Sequence, residues 1–116
     1  YANTVGDVRC TQILKYIQEN YADPDLNVSK MADVFGITIG WISKYFKEQI
    51  GGGMADYIIK FRIKKAKEQL KNPKKSIKQV AEETGFSSAN VFQRAFKRYE
   101  GITPGQYREL VGREDS

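Results

Sequence analysis

Apolar residues recur along this chain at spacings of three and four, interrupted by short breaks at glycine, proline and asparagine. That period belongs to helices packed on one face, and no convincing two-residue alternation of a strand appears. A first helix is predicted from about Val8 to Asn20, burying Ile13, Leu14 and Ile17, and the stretch Tyr21 to Asp25 breaks it at Pro24. Asn27 is placed to cap a short helix through Phe35, with Val28, Met31, Ala32 and Phe35 apolar. Gly36 ends it, because a tight turn there favours positive φ. Thr38 caps the next helix, which reaches Gln49 or Ile50. Ile42, Phe46, Gln49 and Ile50 lie along one side of it, and Gly40, Ser43, Lys44 and Lys47 along the other.

The run Gly51 to Gly53 stops that helix but is too short to separate independent domains. The longest helix is expected from Met54 to about Lys71, with Tyr57, Ile58, Phe61, Ala66 and Leu70 as its apolar stripe. Its remaining surface carries Lys60, Arg62, Lys64, Lys65, Lys67 and Lys71, interrupted by Glu68, and Pro73 closes it. Ser76 and Gln79 form a capping box for a helix burying Ile77, Val80 and Ala81, and Gly85 makes the turn after it. A helix from about Ser88 to Tyr99 packs Val91, Phe92, Ala95 and Phe96 inward, with Ser88, Ala89, Asn90, Gln93, Arg94 and Lys97 outward. A second capping box, Thr103 to Gln106 with Pro104 at the first helical position, opens a short helix to about Leu110.

Two of these segments repeat one pattern. Ala32-Asp33-Val34-Phe35-Gly36 is followed by Lys44-Tyr45-Phe46-Lys47 and Gly51; Ala81-Glu82-Glu83-Thr84-Gly85 is followed by Arg94-Ala95-Phe96-Lys97 and Gly101. Short helix, glycine turn, and second helix with a basic outer face make a helix-turn-helix unit. The net charge is +5, and positive charge is concentrated on the middle of the chain, where both second helices lie. Residues 38–99 hold fourteen Lys and Arg against five Asp and Glu, whereas both flanking stretches are slightly acidic, which points to a polyanionic partner. The chain has no histidine and a single cysteine, so imidazole triads, internal disulfides and thiolate zinc clusters are excluded. Cys10 falls on the apolar side of its helix and is expected to be a buried structural thiol. No phosphate-cradling glycine loop precedes a helix, and Gly51 to Gly53 follows a helix and lacks a following Lys-Ser/Thr. No enzymatic role, cofactor or metal is expected.

The doubled pattern resembles the DNA-binding domain of AraC/XylS-type transcription regulators over about Ile13 to Leu110. The most specific match is the second unit: Ile77, Val80, Ala81, Gly85 and Phe86, then Phe92, Arg94, Phe96 and Lys97, then Gly101, Thr103, Pro104, Tyr107 and Arg108. In the connecting segment Tyr57, Ile58, Arg62, Ile63 and Ala66 match as well. The resemblance implies an all-α fold of about seven helices, two helix-turn-helix subdomains joined by a long central helix. It divides the chain into a linker over residues 1–7, a DNA-binding domain over 8–110 and a polar tail over 111–116. Within the domain, the first unit covers about 27–51, the connecting helix 54–72 and the second unit 76–101.

It also implies two recognition helices in successive major-groove segments of double-stranded DNA, roughly 34 Å apart. A helix of about eighteen residues spans roughly 27 Å of that separation. Carried onto this sequence, the DNA-facing positions are Thr38, Gly40, Trp41, Ser43, Lys44 and Lys47 in the first unit. In the second they are Ser87, Ser88, Ala89, Asn90, Gln93, Arg94 and Lys97. Asn90 and Gln93 suit bidentate pairing with adenine, and Arg94 or Lys44 with guanine. Arg94 could equally clamp phosphate or brace the domain, and Trp41 could lie on DNA or seal the core edge against Tyr45.

Two positions depart from the family pattern. Gly40 has no side chain to reach a base, so the first unit is open to reading shape or thymine methyls, or to gripping phosphate. Gly52 and Gly53 stand where bulkier or capping residues are usual. Because the first residue is Tyr1, the chain is read as a piece of a longer cytoplasmic regulator, with an N-terminal sensor or receiver module and RNA polymerase as further partners. The rival reading is a basic helical module that docks on an acidic protein partner or binds polyanions nonspecifically. Membrane contact is not expected, since no apolar run approaches the roughly 18 residues of a span.

Overall fold

A computed structural model of the chain describes the backbone over residues 2–114 and the side chains over residues 8–112. Seven α-helices and no strand lie among the described residues. They are α1 (Ala2–Asn20), α2 (Val28–Phe35), α3 (Ile39–Ile50), α4 (Met54–Leu70), α5 (Ile77–Glu83), α6 (Ala89–Glu100) and α7 (Pro104–Glu114).

The sequence repeat extends to individual hydrogen bonds. In the first unit the Asn27 side chain accepts from the Lys30 amide at 2.8 Å, satisfying one of the free donors at the start of α2. Gly36 closes α2 at φ 67°, and the Ile37 amide donates back to the Ala32 carbonyl at 3.0 Å. In the second unit the Ser76 hydroxyl and the Gln79 side chain each accept from the other's amide, at 3.0 and 2.8 Å. Gly85 turns at φ 91°, and the Phe86 amide donates to the Ala81 carbonyl at the same 3.0 Å. The second helices end alike: Gly51 and Gly101, at φ 93° and 83°, donate to the carbonyls of Lys47 and Lys97 at 2.8 Å. A side chain at any of these turns would have to adopt the left-handed conformation that glycine enters without penalty.

The chain divides into two compact units, one containing α1 to α3 and α4 as far as Ile58, the other α4 from Ile59 through α7, with Ala22–Pro24. Ile13, Ile17, Met31, Ile42, Phe46 and Ile58 fill the first core, where Phe46 meets Tyr57 edge to face at 5.4 Å between ring centres. Ile63, Ala66, Leu70, Val80, Phe92 and Phe96 fill the second, in which Phe96 packs edge to face against Phe92 at 5.7 Å and Tyr107 at 5.6 Å. In each unit the second half of the second helix seats a fully buried phenylalanine, Phe46 or Phe96, and that seat sets which side of the helix faces outward.

Several boundaries differ from expectation. Helix α1 begins at Ala2, six residues before Val8, because residues 2–7 contain no proline and a lone Gly6 costs a helix only about 1 kcal/mol. The stretch expected as a linker is therefore helical. For the same reason α7 passes Gly112 to reach Glu114, so the expected polar tail is helical through that residue; Asp115 and Ser116 lie outside the described residues. Helix α4 ends at Leu70 rather than in the 71–72 region.

Arg62, expected on the basic outer surface of α4, is instead buried, only 8 % exposed. Its Nη2 donates to the Asp23 carbonyl at 2.8 Å. Burial lowers its pKa, and the Asp23 charge opposes that shift. Arg108 performs a similar task at the end of α4, donating from Nε to the Leu70 carbonyl at 2.9 Å and from Nη2 to the Asn72 carbonyl at 3.2 Å. A cation there satisfies orphan carbonyls and complements the negative end of the helix dipole. Cys10 is half-buried rather than buried.

Candidate nucleic-acid interface

The candidate residues fall on the N-terminal halves of α3 and α6 and on the turns that precede them, except Lys47 and Lys97, which lie in the C-terminal halves. Thr38 caps α3, its hydroxyl accepting from the Trp41 amide at 3.1 Å. Ser88 caps α6 in the same way, accepting from the Val91 amide at 3.1 Å. From turn glycine to cap the second unit is one residue longer, and Ser87 is the additional residue, exposed beside the cap. Each cap starts its helix sharply, so the next residues leave the helix end in fixed directions. The first-turn amides add partial positive charge there.

On α6, Asn90, Gln93, Arg94 and Lys97 are all exposed. They form one polar side opposite Phe92 and Phe96. Ala89 is half-buried, so it offers a smaller outward surface than expected. Val91, expected inside, is 45 % exposed. Rotation by about 100° per residue carries it away from the Phe92 direction, a distinction that a run of apolar letters conceals. On α3, Gly40, Trp41, Lys44 and Lys47 are exposed, whereas Ser43 is half-buried. Gln49 and Ile50, placed with the apolar side, are exposed at the end of that helix. A Cβ added at Gly40 would meet nothing within 4 Å, so the glycine is not demanded by packing. Gly52 and Gly53 are equally unconfined.

Trp41 stacks on Tyr45, with ring centres 4.9 Å apart and planes 14° from parallel, and is 45 % exposed. The Arg9 guanidinium of α1 lies over the indole at 5.1 Å. A cation over an indole face is an attractive arrangement, and it adds positive charge beside α3. Sequence reasoning missed Arg9, because α1 and α3 meet only in the fold. It also missed the exposure of Ile39, the first residue of α3, at 51 %. Ile39 and Trp41 present apolar surface at positions equivalent to Ala89 and Val91, whereas Asn90 and Gln93 have Gly40 and Ser43 as their counterparts on α3.

Among the described residues, no group of three or more Cys, Asp and Glu side chains is placed to hold a metal ion. No described helix is long and apolar enough to cross a membrane.

Residues 31–110 match a family model described as a helix-turn-helix domain. The chain belongs to the AraC/XylS-type helix-turn-helix family, DNA-binding domains of transcription regulators rather than enzymes. It is 31 % identical over 110 residues to the Msm operon regulatory protein of Streptococcus mutans, covering 95 % of this chain and 39 % of that protein. It is 35 % identical over 102 residues to the HTH-type transcriptional regulator YpdC of Escherichia coli, covering 88 % of this chain and 35 % of the relative. The chain thus spans well under half the length of these relatives. Among solved structures, the C-terminal domain of the two-component response regulator yesN from Fusobacterium nucleatum superposes with a TM-score of 0.82 at 34 % identity. That match covers 84 % of this chain and 95 % of the other.

Proposed function

We propose that this chain binds double-stranded DNA sequence-specifically, each unit inserting its second helix into the major groove, at successive segments of an asymmetric site. The observation that carries the reading is the matched presentation of α3 and α6. Each is capped by a hydroxyl, anchored by a buried phenylalanine and exposed along its N-terminal half. The two helices carry different chemistry, so the site they read is not a palindrome.

In α6, Asn90 and Gln93 offer the paired donor and acceptor that suit the major-groove edge of adenine, and Arg94 suits guanine. In α3, Ile39, Gly40 and Trp41 suit thymine methyls and the shape of the groove, with Lys44 available to guanine. Thr38, Ser87 and Ser88 lie at the helix starts, where hydroxyls and amides meet phosphate, and Lys47 and Lys97 add charge along the backbone. Ser43 and Ala89, half-buried, contribute contact area rather than base pairing. In the whole protein, a sensor or receiver module and RNA polymerase complete the regulator. The yesN domain is the C-terminal part of a two-component response regulator, and this chain matches 39 % of the Msm operon regulatory protein, which supports a further module in the whole protein.

Selection of the chain against a random duplex library, followed by a salt titration on the winner, tests the reading. The expected result is a site with two unlike contact blocks about one helical turn apart. The log of its affinity should fall linearly with log salt. Enrichment of one block alone would reduce the first unit to an anchor. A random duplex pool that competes as well as the selected site would overturn sequence-specific binding.

A further inference from the structure

The second unit holds a groove that the DNA-binding reading leaves unused. It lies between α4, the C-terminal end of α6 and α7, and has a volume of about 470 Å³. Lys60, Lys64, Lys67 and Lys71 line one wall, with Glu68 among them. Their spacing of four, three and four places Lys60, Lys64 and Lys67 in a row along α4 that Lys71, just past its end, continues, about 16 Å long at 1.5 Å per residue. The floor is Ile63 with the rings of Tyr99 and Tyr107. Lys60 stands over the Tyr99 ring at 5.9 Å, and Lys67 over Tyr107 at 5.6 Å. Lys67 also pairs with Glu100 at 2.8 Å, and the hydrogen bond to that carboxylate raises its pKa against the effect of burial. The pair neutralises Glu100 together with Lys67, and the remaining lysines outnumber Glu68 three to one.

We infer that this groove is a docking site for an acidic protein segment that carries an aromatic or aliphatic side chain. The lysine row matches about five residues of extended chain at roughly 3.3 Å each, so acidic side chains of such a segment can meet successive lysines. The isoleucine and tyrosine floor takes the apolar side chain between them. The concavity favours a peptide over duplex DNA. A duplex presents a convex, continuous sugar–phosphate track, which can meet the lysines but cannot fill an apolar hollow. The groove also touches α6 at Tyr99 and Glu100, beyond the N-terminal half assigned to base reading, leaving that half uncovered by a docked segment.

The test uses a fluorescein-labelled peptide of alternating glutamate and phenylalanine, titrated with this chain and followed by anisotropy. Its control replaces each phenylalanine by serine. The expected result is saturable binding of the first peptide, weakened about tenfold in the control and about tenfold in the triple variant Lys60→Gln, Lys64→Gln, Lys71→Gln. The three lysines flank the pocket without entering the core, and circular dichroism verifies that the variant keeps its helices. Equal binding of both peptides would overturn the inference, because charge alone would then explain it. So would a salt slope for the selected duplex that flattens by about three in the variant, which would assign the row to phosphate contacts. Failure of duplex binding by the unaltered chain would count against the proposed function and leave the peptide result standing.

Discussion

Asn90 and Lys97 lie on the same exposed side of α6 yet are expected to act differently on DNA. Asn90 carries a donor and an acceptor in one plane, whereas Lys97 carries charge without direction. Asn90→Ala should relax base preference at one position of the selected site and cost about 1–3 kcal/mol there. Lys97→Ala should weaken all duplexes alike and flatten the salt slope by about one. Equal losses on selected and scrambled duplexes for Asn90→Ala would remove it as a reader. Trp41 is the only tryptophan in the chain, so its fluorescence reports one site. Saturating duplex should quench it and shield it from acrylamide, and Arg9→Ala should make the free chain easier to quench by uncovering one ring face. Emission and quenching unmoved by duplex would assign Trp41 to the core edge alone. Its presence on α3 was legible in the sequence. Its partner was not, since no local spacing links residue 9 to residue 41.

At the scale of elements, helix starts and stops were the most readable features, because capping is local chemistry. Asn27, Thr38, Ser76 and Thr103 all accept from an amide three residues on, as their positions before apolar runs predicted, and Ser88, expected as the first residue of its helix, does the same as a cap. The two glycines near α3 separate turn from helix. Gly36 sits at φ 67°, so Gly36→Ala should destabilise the chain by about 1 kcal/mol in urea unfolding. Gly40 lies within α3 with open space around it, so Gly40→Ala should stabilise by up to about 0.5–1 kcal/mol. If both substitutions cost the same, the turn conformation is not what Gly36 supplies. The extent of α1 and α7 was misjudged for a complementary reason. Polar letters resemble a linker or a tail, but a helix stops only where proline, a cap or lost packing stops it.

For the whole molecule, the decisive feature is that each helix-turn-helix unit has its own core, with Phe46 at the centre of one and Phe96 at the centre of the other. Phe46→Ala and Phe96→Ala should each cost about 3–5 kcal/mol by the combined loss of transfer energy and creation of a cavity. In native-state hydrogen exchange, Phe46→Ala should release the amides of α2 and α3 first, and Phe96→Ala those of α5 and α6. Uniform loss of protection in both variants would make the two cores one cooperative unit.

The sequence by itself determined the all-α class, the doubled unit, the caps and the identity of the anchoring phenylalanines. Each of these follows from the helical period and from hydrogen bonds closed within four residues. Only the tertiary structure decided that Arg62 is a buried brace to the Asp23 carbonyl, that Arg9 covers Trp41, and that Val91 turns outward. It also decided that three lysines of α4, and Lys71 just past its end, share a groove with Tyr99 and Tyr107. Those outcomes depend on which helix faces meet across 30 residues or more of chain, and a residue's own neighbours in sequence carry no record of that.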